Sequence, residues 1–376
     1  MTIRVSHLIA GLPVGGAERM LAALCKHGRD VGIKSSVVCL GPSGPVSDDL
    51  TRDHIAVEHL GLETIWKFPL ARRAIRDALA SQAPDVIQAW MYHSNLAATL
   101  AARRLDVPVA WNIRQSLHRP DLFKATTRLV IRTNARLSRR SAAIVYNSGI
   151  ARSQHEQRGF DKSKGVLIPN GVDVGKFAGD VAARRGLREA MAIDEDVIVA
   201  VAVGRANAIK GHEVLLAAVR IAANSGVPLH FLLVGEGVTW DAPPYAYYRD
   251  EADVQECVTL AGSRHDIPDV LMAADLFVSS SWTEGFPNAV AEAMAAGLPC
   301  VVTDVGDSAL LAGDTGRIVD PGNPQALADA VVAIAMAEPS KRHRLGAAAR
   351  DRVRREFSMQ AMCQRYRDLY RSLQAG

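Results

Sequence analysis

Two glutamates in the apolar, small-residue segment SSSWTEGFPNAVAEAMAAGLPCVV are the first residues of this sequence that could do chemistry. Glu284 lies in a loop, and Glu292 lies eight residues further on, in a predicted helix that begins at Asn288. A carboxylate on an apolar helix is costly without a partner, and a diol is suitable because a carboxylate can accept two hydroxyl hydrogen bonds. The segment predicts that Glu292 binds a ribose and Glu284 a hexose. The alternative for Glu292 is a first-turn residue stabilised by the helix dipole.

The start of the same helix predicts an anion site. Pro287 suits the turn before the helix, because its missing N–H costs little there. The backbone amides of Asn288, Ala289 and Val290 have no partner within the helix, so we expect them to point toward a bound anion.

Two cations follow an earlier predicted strand, in the stretch VGRANAIKGH. Gly204 comes directly after that strand, and Arg205 and Lys210 lie in the connection to the next helix. Arginine offers a planar fork, lysine offers a point charge, and the helix dipole favours the same negative group. These residues predict a diphosphate site, with solvated loop cations as the alternative.

A third loop, Gly262 to Asp266 in LAGSRHDIPDVL, lies between a predicted strand and a short helix. Its backbone could bind a base edge while Arg264 stacks on the ring, although a plain connector is the simpler interpretation. Together, the three loops would supply groups for two phosphates, a base and two sets of hydroxyls. That is the inventory of a nucleotide-sugar site.

Short apolar runs alternate with helical patterns along the whole chain. Such alternation is typical of βαβ units and a mostly parallel sheet. The stretch PNGVDVGKFAGD interrupts it without periodicity and predicts a linker, with a hinge near residues 170–175. We therefore expect two doubly wound domains, whose ligands bind at the carboxyl ends of the strands. Periodicity does not decide which domain the last helix, after Ser358, packs against.

The composition is that of a soluble enzyme in a reducing compartment. The hydrophobic content is 48%, the charged content is 22% and the net charge is +4, which is too small to predict nucleic-acid binding. The five cysteines have no metal-ligand or disulfide spacing, so we expect buried thiols and no metal. The N-terminus predicts a strand and no signal peptide, and no apolar window is long enough to span a membrane. These features predict a cytoplasmic protein.

The segment EGFPNAVAEAMAAGLPCVVTD resembles the E-x7-E motif of the retaining glycosyltransferases of family 4, which have the GT-B fold. Four other stretches resemble that family in the same order along the chain: the N-terminal glycine loop, the inter-domain stretch, the donor-phosphate motif and the base-binding loop. Their sequences are GLPVGGAERML, IPNGVDVGKF, GRANAIKGHEVLL and LAGSRHDIPDVLMAADLFVSSS.

The resemblance implies an α/β fold with two doubly wound Rossmann-like domains that face a deep inter-domain cleft. It also implies that the last helix returns to the first domain. The acceptor-binding domain would then comprise residues 1–171 plus 359–376, and the donor-binding domain residues 172–358. The family implies no divalent metal and no cofactor. UDP is the expected nucleotide of the donor sugar, with GDP next.

The resemblance also implies roles for residues that contact the sugar and the diphosphate. Arg205 and Lys210 would bind the diphosphate and stabilise it as the leaving group. Glu284 would hold the donor sugar together with the backbone at Phe286 and Asn288.

Other implied contacts belong to the nucleoside and the phosphates. Glu292 would bind the ribose, while Arg264 and Ile267 would flank the base. Gly16 would bring backbone amides to the donor phosphate from the first domain. The Ala289 amide, at the start of the helix, is the donor-binding group already expected from the helix itself.

One position departs from the family pattern. Many relatives have a histidine after the fourth strand of the first domain, whereas VPVAWNIRQSLHR has Arg114 there. His93, at the carboxyl end of a predicted strand, is the catalytic candidate that would replace it. His118 and Arg114 remain the other candidates, possible contacts of the acceptor, and a capping or packing histidine is the alternative for His93.

The first domain carries a strongly basic region. Residues 103–140 contain ten Lys or Arg and two Asp. Within it, Lys124, Arg128, Arg132, Arg136 and Arg140 recur every fourth residue, with apolar residues between them. Such a stripe would attract anionic lipid head groups or a lipid-diphosphate acceptor, whereas a solvated helix face is the alternative.

The sequence thus predicts a metal-independent hexosyltransferase that moves the sugar of a UDP-sugar to a lipid-linked or surface-polysaccharide acceptor. We expect the enzyme to be peripheral, at the inner face of the cytoplasmic membrane. Within the same fold, the alternatives are a transferase with a small soluble acceptor and a nucleotide-sugar hydrolase or epimerase. A further alternative is a nucleotide-binding regulatory protein without catalysis.

Overall fold

The computed structural model describes residues 2–62, 68–117, 123–177 and 181–375, without the side chains of residues 68–70 and 181. The chain divides into two compact units. The first comprises Met1–Gly171 with Met359–Gly376, and the second comprises Val172–Ser358.

The first unit contains a seven-stranded parallel sheet. In chain order its strands are β1 (Ile3–Ile9), β2 (Ile33–Cys39), β3 (Ala56–His59), β4 (Val86–Trp90), β5 (Val109–Ile113), β6 (Ala143–Tyr146) and β7 (Gly165–Leu167). Their spatial order is β3-β2-β1-β4-β5-β6-β7, and every pairing is parallel.

Six helices connect these strands: α1 (Gly16–His27), α2 (Pro45–Arg52), α3 (Phe68–Ser81), α4 (Met91–Ala101), α5 (Ala125–Leu137) and α6 (Gly149–Gln157). Successive side chains of a strand point to opposite faces of the sheet. Along β1, Val5 and Ile9 accordingly belong to one buried cluster and Leu8 to another. Both faces of the sheet are therefore covered, which is why the strands are continuous apolar runs.

The second unit contains a six-stranded parallel sheet. Its strands are β8 (Ile198–Val203), β9 (Leu229–Val234), β10 (Val258–Leu260), β11 (Leu276–Ser279), β12 (Cys300–Thr303) and β13 (Arg317–Val319). Their spatial order is β10-β9-β8-β11-β12-β13. Along β8, Val199 and Val201 pack into one core cluster, and Ala200 and Ala202 pack into the other.

The helices of the second unit are α7 (Val181–Ala190), α8 (His212–Ala223), α9 (Ala252–Gln255), α10 (Ile267–Ala273), α11 (Asn288–Ala295), α12 (Ser308–Ala312), α13 (Pro324–Ala335) and α14 (Pro339–Glu356). The predicted alternation of strands and helices is confirmed in both units. Strand β13 was not predicted, because it is a three-residue edge strand whose side chains are largely exposed and form no apolar run.

The last helix, α15 (Met359–Gln374), packs against α1, β1 and β4 of the first unit. Its buried face includes Tyr366 and Tyr370. The Asn112 side-chain amide donates to the Tyr366 hydroxyl at 2.6 Å, and the Tyr370 hydroxyl donates to Gln88 Oε1 at 3.2 Å. These bonds join α15 to β5 and β4, so the C-terminal segment completes the core of the first unit.

Two histidines in the first unit are buried in the neutral form. Trp90 Nε1 donates to His7 Nδ1 at 3.2 Å, and His7 Nε2 lies 3.2 Å from Ser35 Oγ. His155 Nε2 lies 2.9 Å from the Tyr92 hydroxyl. Burial lowers the pKa of His7 to about 3 and the pKa of His155 to about 4. Protonation of either ring would place a positive charge in the buried interior, which is the reason that both pKa values are low.

These histidines, with His212 of the second unit at a pKa of about 4, predict a loss of stability in acid. Each would cost roughly 3 kcal/mol by about pH 4, because the unfolded histidine binds its proton near pH 6.5. The contribution of these histidines to stability should therefore be constant above about pH 6.5 and fall below it. Denaturant titrations at several pH values measure this. In His155→Gln, the free energy of unfolding should fall less steeply with decreasing pH than in the wild type. The control His343→Gln removes an exposed histidine and should keep the wild-type slope. Equal slopes in the two variants would contradict the assignment.

Candidate functional site

The second sheet changes its winding direction between β8 and β11. The chain leaves β8 toward β9 and β10, then crosses over to β11 on the other side of β8. The connections that follow these two strands diverge at their carboxyl ends, and such switch points are where doubly wound sheets bind ligands. Lys210 follows β8 and Glu284 follows β11, so the topology brings together residues that lie 74 positions apart in the sequence.

Lys210 and Glu284 form an ion pair at this switch point. The Lys210 Nζ lies 2.6 Å from Glu284 Oε1, and the Ser281 hydroxyl donates to the same oxygen at 2.7 Å. The side chain of Lys210 is 26% exposed and that of Glu284 is 13% exposed. An ammonium has three donors and a carboxylate two oxygens, so both groups keep capacity for a ligand.

The two loops that carry this pair are hydrogen-bonded to each other. Asn207 Oδ1 accepts from the amides of Ile209 and Lys210, which fixes the turn before α8. The Ser280 hydroxyl donates to the Lys210 carbonyl at 3.0 Å, and the Trp282 amide donates to the Ile209 carbonyl at 2.8 Å. The position of the lysine is therefore set by both loops.

Gly211 allows this close approach. Its φ is +61°, a left-handed conformation, and a Cβ there would lie 2.2 Å from the Ser280 carbonyl oxygen. Only glycine meets both requirements.

Helix α11 begins at Asn288 after the buried Pro287, as the sequence predicts. Glu292 lies one turn further in and is half-buried. The helix ends in a Schellman motif: the Leu298 amide donates to the Ala293 carbonyl, and the Gly297 amide to the Met294 carbonyl. The start and end of the helix that carries Glu292 are thus both specified by local sequence.

A cavity of about 20 Å³ lies beside the ion pair. Its lining residues are Ala202, Val203, Lys210, His212, Val278, Ser279, Ser280, Ser281, Glu284, Pro287, Ala289 and Val290. This volume holds about one water molecule. The cavity lies at the bottom of the candidate site, between the loop after β8 and the start of α11.

His212 is a site residue that the sequence analysis missed. It lines the cavity, and its Nδ1 is hydrogen-bonded to the Tyr245 hydroxyl. Burial, with a smaller effect of the Lys210 charge, lowers the pKa of His212 to about 4, so the ring is neutral. Its place directly after the Lys-Gly dipeptide, at the start of α8, was the available signal.

The other residues predicted to bind the nucleotide sugar lie in the connections after β8, β10 and β11 of the same unit. Arg205 directly follows Gly204 after β8 and is exposed. Arg264 lies in the loop after β10, where its Nε donates to Asp266 Oδ1 at 2.8 Å. Ile267 begins α10, and the buried Phe286 precedes α11. The roles of these residues toward a nucleotide sugar stay predictions.

The first unit has its own switch point, between β1 and β4. Gly16 begins α1, directly after the loop that follows β1, and is exposed. His93 lies in the first turn of α4, after β4, and burial lowers its pKa. Met91, at the junction of β4 and α4, has a φ of +66°. Strained residues of this kind cluster at functional sites.

Arg114 is engaged within the first unit. Its guanidinium donates to Asn170 Oδ1, lies 3.5 Å from the Tyr366 hydroxyl and packs 5.6 Å from the centre of the Trp90 ring. Burial lowers its pKa. Arg114 therefore joins β5, α15 and the segment before residue 172. His118, the other acceptor candidate, lies outside the described residues.

The basic stripe forms an exposed helix face. Arg128, Arg132 and Arg136 on α5 are exposed, as are Lys124 before the helix and Arg140 after it. Leu129 beside them is 60% exposed. The predicted stripe is thus available to a partner.

Within the residues that the structure describes, no helix is both long and apolar enough to cross a membrane. In the same part of the chain, no group of three or more His, Cys, Asp or Glu residues is placed to hold a metal ion.

Two Rossmann-like domains, with candidate residues at the carboxyl ends of their strands, define the GT-B class of glycosyltransferase fold. Two family models match this chain: Glycosyltransferase Family 4 over residues 14–176, and Glycosyl transferases group 1 over residues 197–336. The chain therefore contains a Glycosyltransferase Family 4 domain followed by a Glycosyl transferases group 1 domain, and the two matched regions together span most of it.

Curated relatives of this chain are named as glycosyltransferases, and a solved structure shares its fold. An *Escherichia coli* UDP-Gal:alpha-D-GlcNAc-diphosphoundecaprenol alpha-1,3-galactosyltransferase is 34% identical over 39% of this chain and 38% of its own length. A D-inositol 3-phosphate glycosyltransferase of *Xylanimonas cellulosilytica* is 28% identical over 72% of this chain and 68% of its own length. HepE of *Anabaena*, solved with UDP, is 21% identical with a TM-score of 0.82, covering 98% of this chain and all of HepE.

Proposed function

We propose that this protein is a retaining glycosyltransferase that moves a sugar from a nucleotide-diphosphate sugar to a glycan acceptor. The observation that carries the proposal is the Lys210–Glu284 pair at the switch point of the second sheet, 2.6 Å apart. A cation suits a diphosphate and a carboxylate suits sugar hydroxyls, so one pair can bind both sides of the bond to be broken.

The proposed chemistry is a same-face substitution without a protein nucleophile. The bond between the sugar and the diphosphate breaks, and the acceptor hydroxyl forms the new bond on the same face. The departing diphosphate takes the acceptor's proton. Lys210 and Arg205 stabilise the negative charge that develops on the leaving group, while Glu284 positions the sugar. Positioning and electrostatic stabilisation are sufficient for this role.

UDP is the proposed nucleotide. The *Escherichia coli* relative is named for UDP-Gal, and HepE has been solved with UDP. The half-buried Glu292, one turn into α11, is the proposed partner of the ribose hydroxyls. The reaction as proposed uses neither a metal nor a cofactor.

A lipid-linked or surface-polysaccharide acceptor is favoured by two observations. The *Escherichia coli* relative is named for a diphosphoundecaprenol acceptor. The exposed stripe on α5 offers positive charge beside the apolar Leu129, and each such charge attracts an anionic membrane by about 1 kcal/mol. The proposed location is the inner face of the cytoplasmic membrane. If the protein does not float with anionic vesicles at low salt, the proposed binding to the membrane is wrong.

A small soluble acceptor is the second candidate. It is favoured by the relative from *Xylanimonas cellulosilytica*, which is named for D-inositol 3-phosphate. Such an acceptor needs no basic stripe. Unchanged transfer activity after charge reversal at Arg128 and Arg132 would select it over the membrane acceptor. Free sugar or an epimerised donor as the product would instead indicate a hydrolase or an epimerase.

UDP should raise the melting temperature of this protein more than GDP or ADP does. Ligand at 100 times its dissociation constant adds about 2.7 kcal/mol to the free energy of unfolding. Glu292→Ala should abolish most of the shift, because it removes the partner of the ribose. The matched control is Glu189→Ala, an exposed carboxylate on α7, which should keep the full shift. A panel of nucleotides in a thermal-shift assay measures this, and no shift with any nucleotide would overturn the proposal.

A further inference from the structure

Four arginines from two separate parts of the sequence converge on one depression of the first unit. Arg132 and Arg136 lie on α5, Arg139 lies in the turn that follows it, and Arg158 follows the end of α6. With Ala135 and Gly159 they line an open depression of about 450 Å³. This is within the size range of small-molecule binding sites. We call these four residues the arginine pocket.

The charge of the arginine pocket is largely uncompensated. No acidic residue lines it. Among the ion pairs recorded for the described residues, none involves one of its four arginines. The Arg158 guanidinium donates to the Gln154 carbonyl at 3.2 Å. Asp161, which does not line the pocket, offsets part of the Arg139 charge: Arg139 contributes to lowering the pKa of this carboxyl, after the larger effect of a hydrogen bond from Ser163.

The arginine pocket lies away from the edge that carries the candidate transfer residues. Strands β5 and β6 are parallel, and α5 runs from the carboxyl end of β5 toward the amino end of β6. Helix α6 begins at the carboxyl end of β6 and runs back the same way. The ends of both helices therefore lie at the amino edge of the sheet, whereas Gly16 and His93 lie at its carboxyl edge.

The ends of the two helices explain only part of this clustering. A helix C-terminus carries about half a negative elementary charge, which favours a nearby cation. Two helix ends thus balance about one of the four positive charges. The remaining repulsion lowers stability unless an anion is bound. Guanidinium groups bind phosphate oxygens with two parallel hydrogen bonds, and a phosphate group carries up to two charges.

We propose that the arginine pocket is a binding site for a multiply charged phosphate group, of the diphosphate or clustered-phosphate class. The group belongs either to a free anion or to the head of an anionic lipid. The site is separate from the sugar-transfer site and does not depend on the proposed reaction. It contains Arg158, which lies outside the regular stripe, and it excludes Arg128, which is not among its lining residues.

Inorganic tripolyphosphate is the probe for the free anion, titrated calorimetrically into the full chain with UDP present to occupy the donor site. The double substitution Arg139→Gln with Arg158→Gln, which leaves the stripe on α5 intact, should weaken its binding about tenfold or more, because two charge-assisted contacts are lost. The matched control is Arg103→Gln with Arg104→Gln, two exposed arginines of the same unit. The control should change the affinity less than about twofold, since its charge change is the same but lies outside the pocket.

Flotation with phosphatidylglycerol vesicles distinguishes the lipid source. The site is assigned to a lipid head group if the wild type and the control bind vesicles, the pocket variant does not, and the wild type does not bind tripolyphosphate. Equal affinities of the two variants for both probes would overturn the proposal, as would the absence of binding by the wild type. Melting temperatures show that both variants fold. Failure of UDP to bind would count against the proposed function and leave this result intact.

Discussion

Lys210→Met should lower kcat for sugar transfer by roughly 10²- to 10³-fold, the usual effect of removing one preorganised electrostatic contact to a transition state. The lysine is fixed by two loops and lies 2.6 Å from Glu284. It can therefore meet charge on a leaving group without reorganisation. The substitution should also weaken binding of the donor. The effect on kcat is therefore measured in transfer assays at a saturating concentration of donor.

The matched control is Lys341→Met, which removes an exposed lysine on α14 and should leave kcat unchanged. Loss of Lys210 leaves Glu284 without its cation, at a cost of about 1–3 kcal/mol in the free energy of unfolding. The assay temperature must therefore lie below the melting temperature of the variant. Glu284→Gln tests the effect of the carboxylate charge without loss of the local hydrogen bonds, because the oxygen of the amide can still accept from Lys210 and Ser281. A Lys210→Met protein with a tenth or more of wild-type kcat would contradict the catalytic role.

Gly346→Ala should destabilise the second unit by about 3 kcal/mol or more, the range of severe overpacking. Gly346 is buried on α14 where that helix meets the end of α11. A Cβ there would lie 1.8 Å from the Gly297 carbonyl oxygen. That oxygen belongs to the backbone of the Schellman motif, so relief requires α11 to move. Because α11 carries Glu292, UDP binding should weaken as well.

Gly186→Ala is the control for this substitution. Gly186 also lies in a helix, α7, but a Cβ there would meet no heavy atom within 4 Å. Alanine should stabilise that helix by about 0.5–1 kcal/mol relative to glycine. Chemical denaturation of both variants gives the comparison. The packing explanation would be wrong if the two alanines changed the free energy of unfolding by similar amounts.

Local features of the sequence predicted most of the elements. Helix α11 begins at Asn288 and ends before Gly297, as expected from Pro287 and from the glycine that follows the helix. Buried strands such as β8 were found because both faces of a doubly wound sheet require apolar side chains. Strand β13 was missed because an exposed edge needs no such pattern.

The sequence by itself determined the two sets of βαβ units and the residue types available for a sugar and a diphosphate. These follow from short-range sterics and periodicity, which act over a few residues. Only the tertiary structure decided which side chains meet. It paired Lys210 with Glu284, turned Arg114 inward toward Tyr366, added His212 to the cavity and brought Arg158 to the stripe on α5. The order of strands in a sheet sets these contacts, and residues far apart in the chain become neighbours only when that order is fixed.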